Sequence, residues 1–386
     1  MEQKVKLKKA IGAEGFLCLF FFILFFVLIG SKMGTANMFS TLMNTAYELL
    51  IKVVFYIMAI AVVAGAIAAM LSEFGVISII NKVLSPLMKP LYDLPGAGAL
   101  GIVTTYLSDN PAILTLAKDK GFRRYFKKYQ LPALTNLGTA FGMGLIVTTF
   151  MIGQKSPIGE SFIAPAIIGN IGAVIGSIVS VRLMIFQTKK VYGTESMCDS
   201  EGTVNYDMLT HREVREGSVT ARLLESLLEG GKTGVELGLA IVPGVLIICT
   251  IVIMLTNGPA DAGLYTGAAN EGVRILPWIG EKLSFILTPL FGFASPEAIA
   301  FPITSLGAVG AAISLVPDLL KKGLIGGNEI AVFTAMGMCW SGYLSTHVAM
   351  MDGLKCRNLT GKAILSHTVG GIMAGVSAHL MYILFL

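Results

Sequence analysis

The sequence predicts an all-α polytopic membrane protein: an inverted-topology repeat with two re-entrant helical hairpins and about seven full transmembrane helices. Three observations predict it: the composition, the spacing of the apolar runs, and a set of landmarks that occurs twice in the same order. Of 386 residues, 54% are hydrophobic and only 14% charged, and the mean hydropathy is +0.74. Soluble domains carry about 25% charged residues, so the soluble, disordered, collagenous and nucleic-acid-binding classes are excluded. The net charge of +5 comes from short basic clusters between apolar runs, the pattern of cytoplasmic loops. Cys18, Cys198, Cys249, Cys339 and Cys356 are scattered and form no CxxC pair, which suggests neither a disulfide framework nor a thiolate metal site.

Residues 1–45 read as a basic cytoplasmic tail and a first span. The apolar run from Phe16 to Gly30 is followed by SKMGTANM, which offers no convincing cleavage site, so the run is expected to remain as a span. Further stretches long enough for ~30 Å of hydrocarbon cover residues 46 to 71, 131 to 153, 161 to 186, 234 to 256, 328 to 350 and 363 to 386. Two more apolar segments, Pro95 to Gly121 and Pro296 to Gly323, are too short for two crossings and are interrupted midway by polar or small residues. Each is either one crossing or a hairpin.

Charge decides between these. With both segments as hairpins and a cytoplasmic N-terminus, 22 of the 29 Lys and Arg lie on the cytoplasmic side. A crossing at the first segment would move the cluster at 118 to 128 and the loop at 187 to 232 outside, against the positive-inside rule. The chain is therefore expected in the cytoplasmic (inner) membrane with its C-terminus outside. Residues 46–186 form the first repeat, with a hairpin at 94–121, and residues 234–386 the second, with a hairpin at 295–323. Residues 187–233 form a cytoplasmic linker in which Val219 to Leu228 reads as an amphipathic surface helix.

The repeat rests on three matches. Glu48-Leu49 and Glu236-Leu237 open corresponding spans; Leu84-Ser85-Pro86-Leu87 and Leu287-Thr288-Pro289-Leu290 precede the hairpins; Thr139-Ala140-Phe141-Gly142-Met143 and Thr334-Ala335-Met336-Gly337-Met338 follow them. An odd number of crossings separates the copies, so they are inverted. Non-helical backbone at membrane depth is tolerated only where protein or a water-filled cavity surrounds it, so two hairpin tips and two interrupted spans are expected to enclose one midplane site.

At the TYLSDNPAILTLAK hairpin, the TAFGM and TAMGM segments and EGGKTGVELGLAIVPG, the chain resembles membrane proteins carrying the Gate, or nucleoside-recognition, domain. That group is related to concentrative nucleoside transporters, to the membrane part of ferrous-iron transport protein B, and to spore maturation proteins A and B. The resemblance spans roughly residues 46 to 386 and implies paired hairpins and a cation-coupled transport fold. The Gly-x-x-Glu-Ser type of pattern associated with nucleoside transporters is absent from the hairpins, which leaves the solute open.

In the first hairpin, Ser108-Asp109-Asn110-Pro111 is read either as a capped helix start or as a site. In the second reading Ser108 and Asn110 meet the solute and Asp109 binds a coupling cation, Na⁺ or H⁺, since an Asp at membrane depth costs about 2.5–3.5 kcal/mol on insertion scales. In the second hairpin, Thr304 and Ser305 mark the turn and are expected to meet the solute, while Glu297 is either a first-turn carboxylate suited to the macrodipole or a substrate contact. Asn136 and Thr139 in the third span are expected to help coordinate the coupling ion, and Thr334 and Ser341 in the sixth to line the site. His347, His367 and His379 are read either as packing groups or as a proton relay or metal site. Gly231-Lys232-Thr233 lacks the upstream glycine of a phosphate loop, and no GxSxG elbow supports a hydrolase.

The expected function is a secondary transporter for a small polar solute, nucleoside-like or another organic solute, with no enzymatic activity, cofactor or nucleic-acid partner. Two alternatives stand beside it: a non-transporting partner of the spore-maturation type, and a divalent-metal permease using Cys339 and His347. The partners implied are the lipid bilayer, the solute, and either a second copy or a companion Gate-domain membrane protein.

Overall fold

The computed structural model describes residues 10–118, 120–198, 210–260 and 263–386. The basic tail at residues 1–9 and the middle of the linker lie outside the described residues. Among the described residues six helices are long and apolar enough to cross a membrane: Ala13–Met33, Thr35–Glu73, Ala133–Ile152, Ile163–Tyr192, Val219–Thr256 and Arg357–Phe385. They correspond to six of the seven expected spans, and the protein is a multi-pass membrane protein. The remaining expected span, 328 to 350, is divided at residues 340–342 into Gly327–Cys339 and Tyr343–Gly353.

Two spans are much longer than their apolar runs. Thr35–Glu73 has 39 residues, about 58 Å at 1.5 Å per residue, against ~30 Å of hydrocarbon. Glu48 therefore lies inside this helix and does not open it. The polar stretch before it is helical because a loop from the second repeat clasps it. Asn37 Nδ2 donates to Tyr265 O (2.9 Å), Asn44 Nδ2 to Gly267 O (2.9 Å), and Asn270 N–H to Thr45 Oγ1 (2.8 Å). Val219–Thr256, with 38 residues, likewise absorbs the expected surface helix at 219–228 into the fifth span. Its N-terminal end is held by Arg222, which donates to Glu73 at 2.7 Å, and by the neighbouring Arg215, which reaches the same carboxylate at 2.6 Å.

Corresponding spans of the two repeats pack antiparallel. In the second and fifth spans a Cβ at Gly65 would lie 2.4 Å from Gly230 O, while Ala61 faces Gly234 and Met58 faces Gly238. In the fourth and seventh, Gly176 and Gly370 approach just as closely. Small residues in register let two helix backbones touch, which is the role of the glycines around Lys232.

The repeat is held in backbone conformation more faithfully than in residues. Left-handed positions occur at Gly75, Asp93 and Met143, and again at Arg274, Gly292 and Gly342. The separation is the same in each case (75 to 274, 93 to 292, 143 to 342), 199 residues. The 17-residue helices Val76–Tyr92 and Ile275–Phe291 obey the same spacing. The first turns Ile79, Val83 and Leu87 outward as an apolar stripe. By this register Pro90, not Pro86, corresponds to Pro289, and TAMGM lies within a helix, ahead of the break at 340–342.

Both hairpins return to the end of the molecule from which they start. At the base of the first, Gln130 Nε2 donates to Asp93 O (2.6 Å) and Lys189 pairs with the Asp93 carboxylate (2.7 Å). At the base of the second, Ala294 N–H donates to Glu329 (2.8 Å) and Asn328 Nδ2 to Phe291 O (2.9 Å). Here the chain turns by 79° between Ile275–Phe291 and Pro296–Gly307.

Candidate functional site

The first hairpin consists of Gly98–Leu107 and Pro111–Lys118, joined by Ser108, Asp109 and Asn110. Pro111 starts the second arm with no N–H to satisfy. Asp109 Oδ1 accepts the Asn110 N–H at 2.7 Å, so the aspartate closes the turn and the Asn110 side chain is released for other contacts. Asn110 is 1% exposed and reaches across to the break in the sixth span. Its Nδ2 donates to Ser341 O, and its Oδ1 accepts from Ser341 Oγ at 2.8 Å. The same hydroxyl lies 3.1 Å from Thr139 O, a carbonyl at the break in the third span.

That break, residues 140–143, allows the amide to fit. A Cβ on Gly142 would fall 1.4 Å from Asn110 Oδ1 and 2.6 Å from Ser341 Oγ. The second hairpin arrives from the opposite end through Ala300–Gly307, Ala308 and Val309–Ser314. Gly342 N–H donates to Ser305 O at 3.0 Å, and Gly342 itself is left-handed, φ 70°, against Gly307 O. Both tips and both interrupted spans therefore meet around Asn110, Ser341 and Gly342. Each orphaned backbone group named here has a protein partner, as a dry interior requires.

Of the residues expected at this site, the structure brings together Asn110, Ser341, the carbonyl of Thr139 and the carbonyl of Ser305. Ser108 and Asp109 stand half-buried beside them. Among the described residues no cationic group lies within ion-pair distance of Asp109, whose carboxylate accepts the Asn110 N–H. The hydroxyls of Thr139, Thr304 and Ser305 are spent on their own helices, at Thr135 O (2.8 Å), Ala300 O (2.7 Å) and Pro302 O (2.8 Å).

Three expected residues lie elsewhere. Thr334 bonds to Ile330 O and packs against Gly169 of the fourth span. Glu297 sits at the base of its hairpin, bonded to Arg274 (2.8 Å) and Ser295 (2.5 Å), beside a cavity of about 480 Å³. Asn136 faces away from the tips and donates to Ser180 Oγ (3.0 Å) and Ala363 O (3.1 Å).

Asn136 instead begins a chain of bonds in which spacing showed no pattern. Ser180 Oγ meets His367 Nδ1 at 2.8 Å, and His367 Nε2 bonds to Cys339 O, a carbonyl just before the break in the sixth span. A carbonyl only accepts, so Nε2 carries the proton and Nδ1 accepts from Ser180. Cys339 Sγ points to Ala173 O in the fourth span. Its thiol and the His367 ring are thus both committed to helix contacts. Among the described residues no group of three or more His, Cys, Asp or Glu side chains is placed to hold a metal ion.

The sequence matches no protein-family model and no curated protein. Solved structures of CNTnw, a concentrative nucleoside transporter, share the fold. An outward-facing variant aligns with TM-score 0.56 at 14% identity, covering 96% of this chain and 86% of the other. The inward-facing, substrate-bound form aligns with TM-score 0.53 at 14% identity, covering 84% and 74%. An intermediate state gives 0.54 at 15% identity, covering 85% and 76%. In fold, this chain is similar to a concentrative nucleoside transporter over most of its length.

Proposed function

We propose that this chain is a cation-coupled secondary transporter that carries a small polar solute across the cytoplasmic membrane by alternating access. The observation that carries the reading is the convergence of both hairpin tips and both interrupted spans on Asn110, Ser341 and Gly342. Polar side chains and unwound backbone are expensive in lipid, and transporters built on inverted repeats use that arrangement for their sites. Likeness to a fold solved in inward-facing, intermediate and outward-facing states supports alternating access.

In this reading Asp109 binds the coupling ion, Na⁺ or H⁺, and Ser108, Asn110 and Ser341 meet the solute when the tips part. A nucleoside is the first solute to test because the structural neighbours are nucleoside transporters. The basic clusters argue for a cytoplasmic N-terminus and linker. No observation favours the spore-maturation or metal-permease alternatives.

The test is counterflow in proteoliposomes: labelled uridine outside, unlabelled uridine inside, with and without Na⁺. Accumulation above equilibrium that is lost in Asp109→Ala supports the proposal. Folded wild-type protein giving no counterflow with nucleosides, amino acids or organic anions would contradict it.

A further inference from the structure

His347 lies in the second half of the sixth span, one turn beyond the break, and is fully buried, with 0% exposure. Among the described residues neither ring nitrogen makes a hydrogen bond of good geometry, the backbone of Tyr343 one turn back being the polar group beside the ring. Its ring sits 4.7 Å from that of His367 and edge-on to Tyr343 at 5.7 Å. The contrast with His367 is sharp: that ring spends both nitrogens, on Ser180 and on Cys339 O. An unmet buried polar group costs about 1–3 kcal/mol, so a packing role alone would be better served by Leu or Phe.

The surroundings supply little charge. The packed helices Ala133–Thr139 and Ala300–Gly307 carry no titratable side chain. Pro111–Lys118 carries only Lys118, whose side chain lies beside Gly353 at the far end. The short turn Arg357–Leu359 offers Arg357, which pairs with Asp352 at 3.7 Å. The seventh span offers His367 beside the ring, with Lys362 and His379 toward its two ends. Tyr343, on the same helix, bonds to Thr368.

We propose that His347 is a proton-binding site of the transport cycle, separate from the ion at Asp109. The inference rests on the transport reading above. A charge in this dry setting would be expensive, so the ring takes up a proton only in a conformation that admits water. Proton occupancy and conformation are then linked, because a ligand that binds one state better shifts the equilibrium toward it. The proton enters from one aqueous face, rests on a His347 ring nitrogen, and leaves to the other face after closure. His367, held in one tautomer by Ser180 and Cys339 O, is the fixed wall against which the ring is placed.

Two measurements on the full-length protein decide it. In nanodiscs with ¹⁵N-histidine, the four imidazoles are separated using His211→Gln and His379→Gln, with His367 recognised by its fixed Nε2–H tautomer. The His347 signal should shift between neutral pH and the lowest pH at which the protein stays folded, as protonation draws the chain into the conformation that admits water, while His367 stays constant. A His347 signal that does not move while the protein remains folded would overturn the proposal. In proteoliposomes, His347→Gln should lose uridine accumulation driven by a pH gradient yet keep uridine counterflow at equal pH. Undiminished gradient-driven accumulation in that variant would also overturn it. Absence of counterflow in the wild type counts against the transport reading instead, and the imidazole titration then decides the proton site by itself.

Discussion

Asn110 and Val309 occupy corresponding positions at the tips of the two hairpins, 199 residues apart, within matching backbone frames. Asn110 spends its amide on Ser341; Val309 is buried, and the space beside Gly337 is filled by its methyl groups. The residue before each differs in the same sense, Asp109 against Ala308. The fold thus repeats its geometry and divides its chemistry. The first hairpin brings polar side chains, the second brings main-chain carbonyls, and the break in the sixth span accepts both. Pseudosymmetry positions the site, and only one half equips it.

Gly142→Ala drives a methyl group into Asn110 Oδ1, so the amide must leave its pocket; overpacking and the lost bonds together should cost about 3–5 kcal/mol. Thermal unfolding of the purified variant checks this, and a near-native midpoint would show that the tip does not dock at the break as described. Next, Asn110→Ala should cost about 2–3 kcal/mol and abolish uridine counterflow. Its mate Val309→Ala, a loss of packing alone, should cost about 1–2 kcal/mol and leave counterflow standing. Equal losses of counterflow in the two variants would erase the division of labour.

A smaller effect concerns the base of the first hairpin. Burial alone would raise the Asp93 carboxyl, but its hydrogen bonds to Lys189 and Lys89 outweigh burial and hold it below its ordinary value. Its contribution is therefore present above the unfolded value, about 3.9, and is lost as pH falls through the lower folded value. Asp93→Asn should destabilise by about 1–2 kcal/mol at neutral pH, the lysines being partly exposed, and the gap should close in acid. A gap that persists in strong acid would contradict the ion-pair account. Smallest in stability is Asp109→Ala, expected to cost less than about 1 kcal/mol as the loss of a local cap while removing cation-dependent uptake. Cation dependence that survives the change would move the coupling ion elsewhere.

The order of elements was legible because hydropathy and Lys/Arg placement report directly on lipid contact. The register was not. LSPL and LTPL, and TAFGM and TAMGM, are separated by different numbers of residues from the left-handed turns that define the repeat. Those turns accept Gly, Asp, Met and Arg alike, so residue identity carries little of the signal. Hydropathy also missed residues 35–45 as part of a span, since their polarity is matched by a loop more than 220 residues away. At the site, Asn110 and Ser341 stood out as polar groups in apolar runs, but their pairing across 231 residues is a product of the fold. Asn136 stood out for the same reason and serves the His367 chain instead.

The claim on which all this depends is that the two hairpins enter from opposite faces without crossing. Sided labelling with a membrane-impermeant maleimide tests it most directly, using single cysteines at positions 89, 128, 282 and 322 in a chain whose five native cysteines are replaced. Positions 89 and 128 should label from one face, and 282 and 322 from the other. Labelling of 89 and 128 from different faces would contradict it.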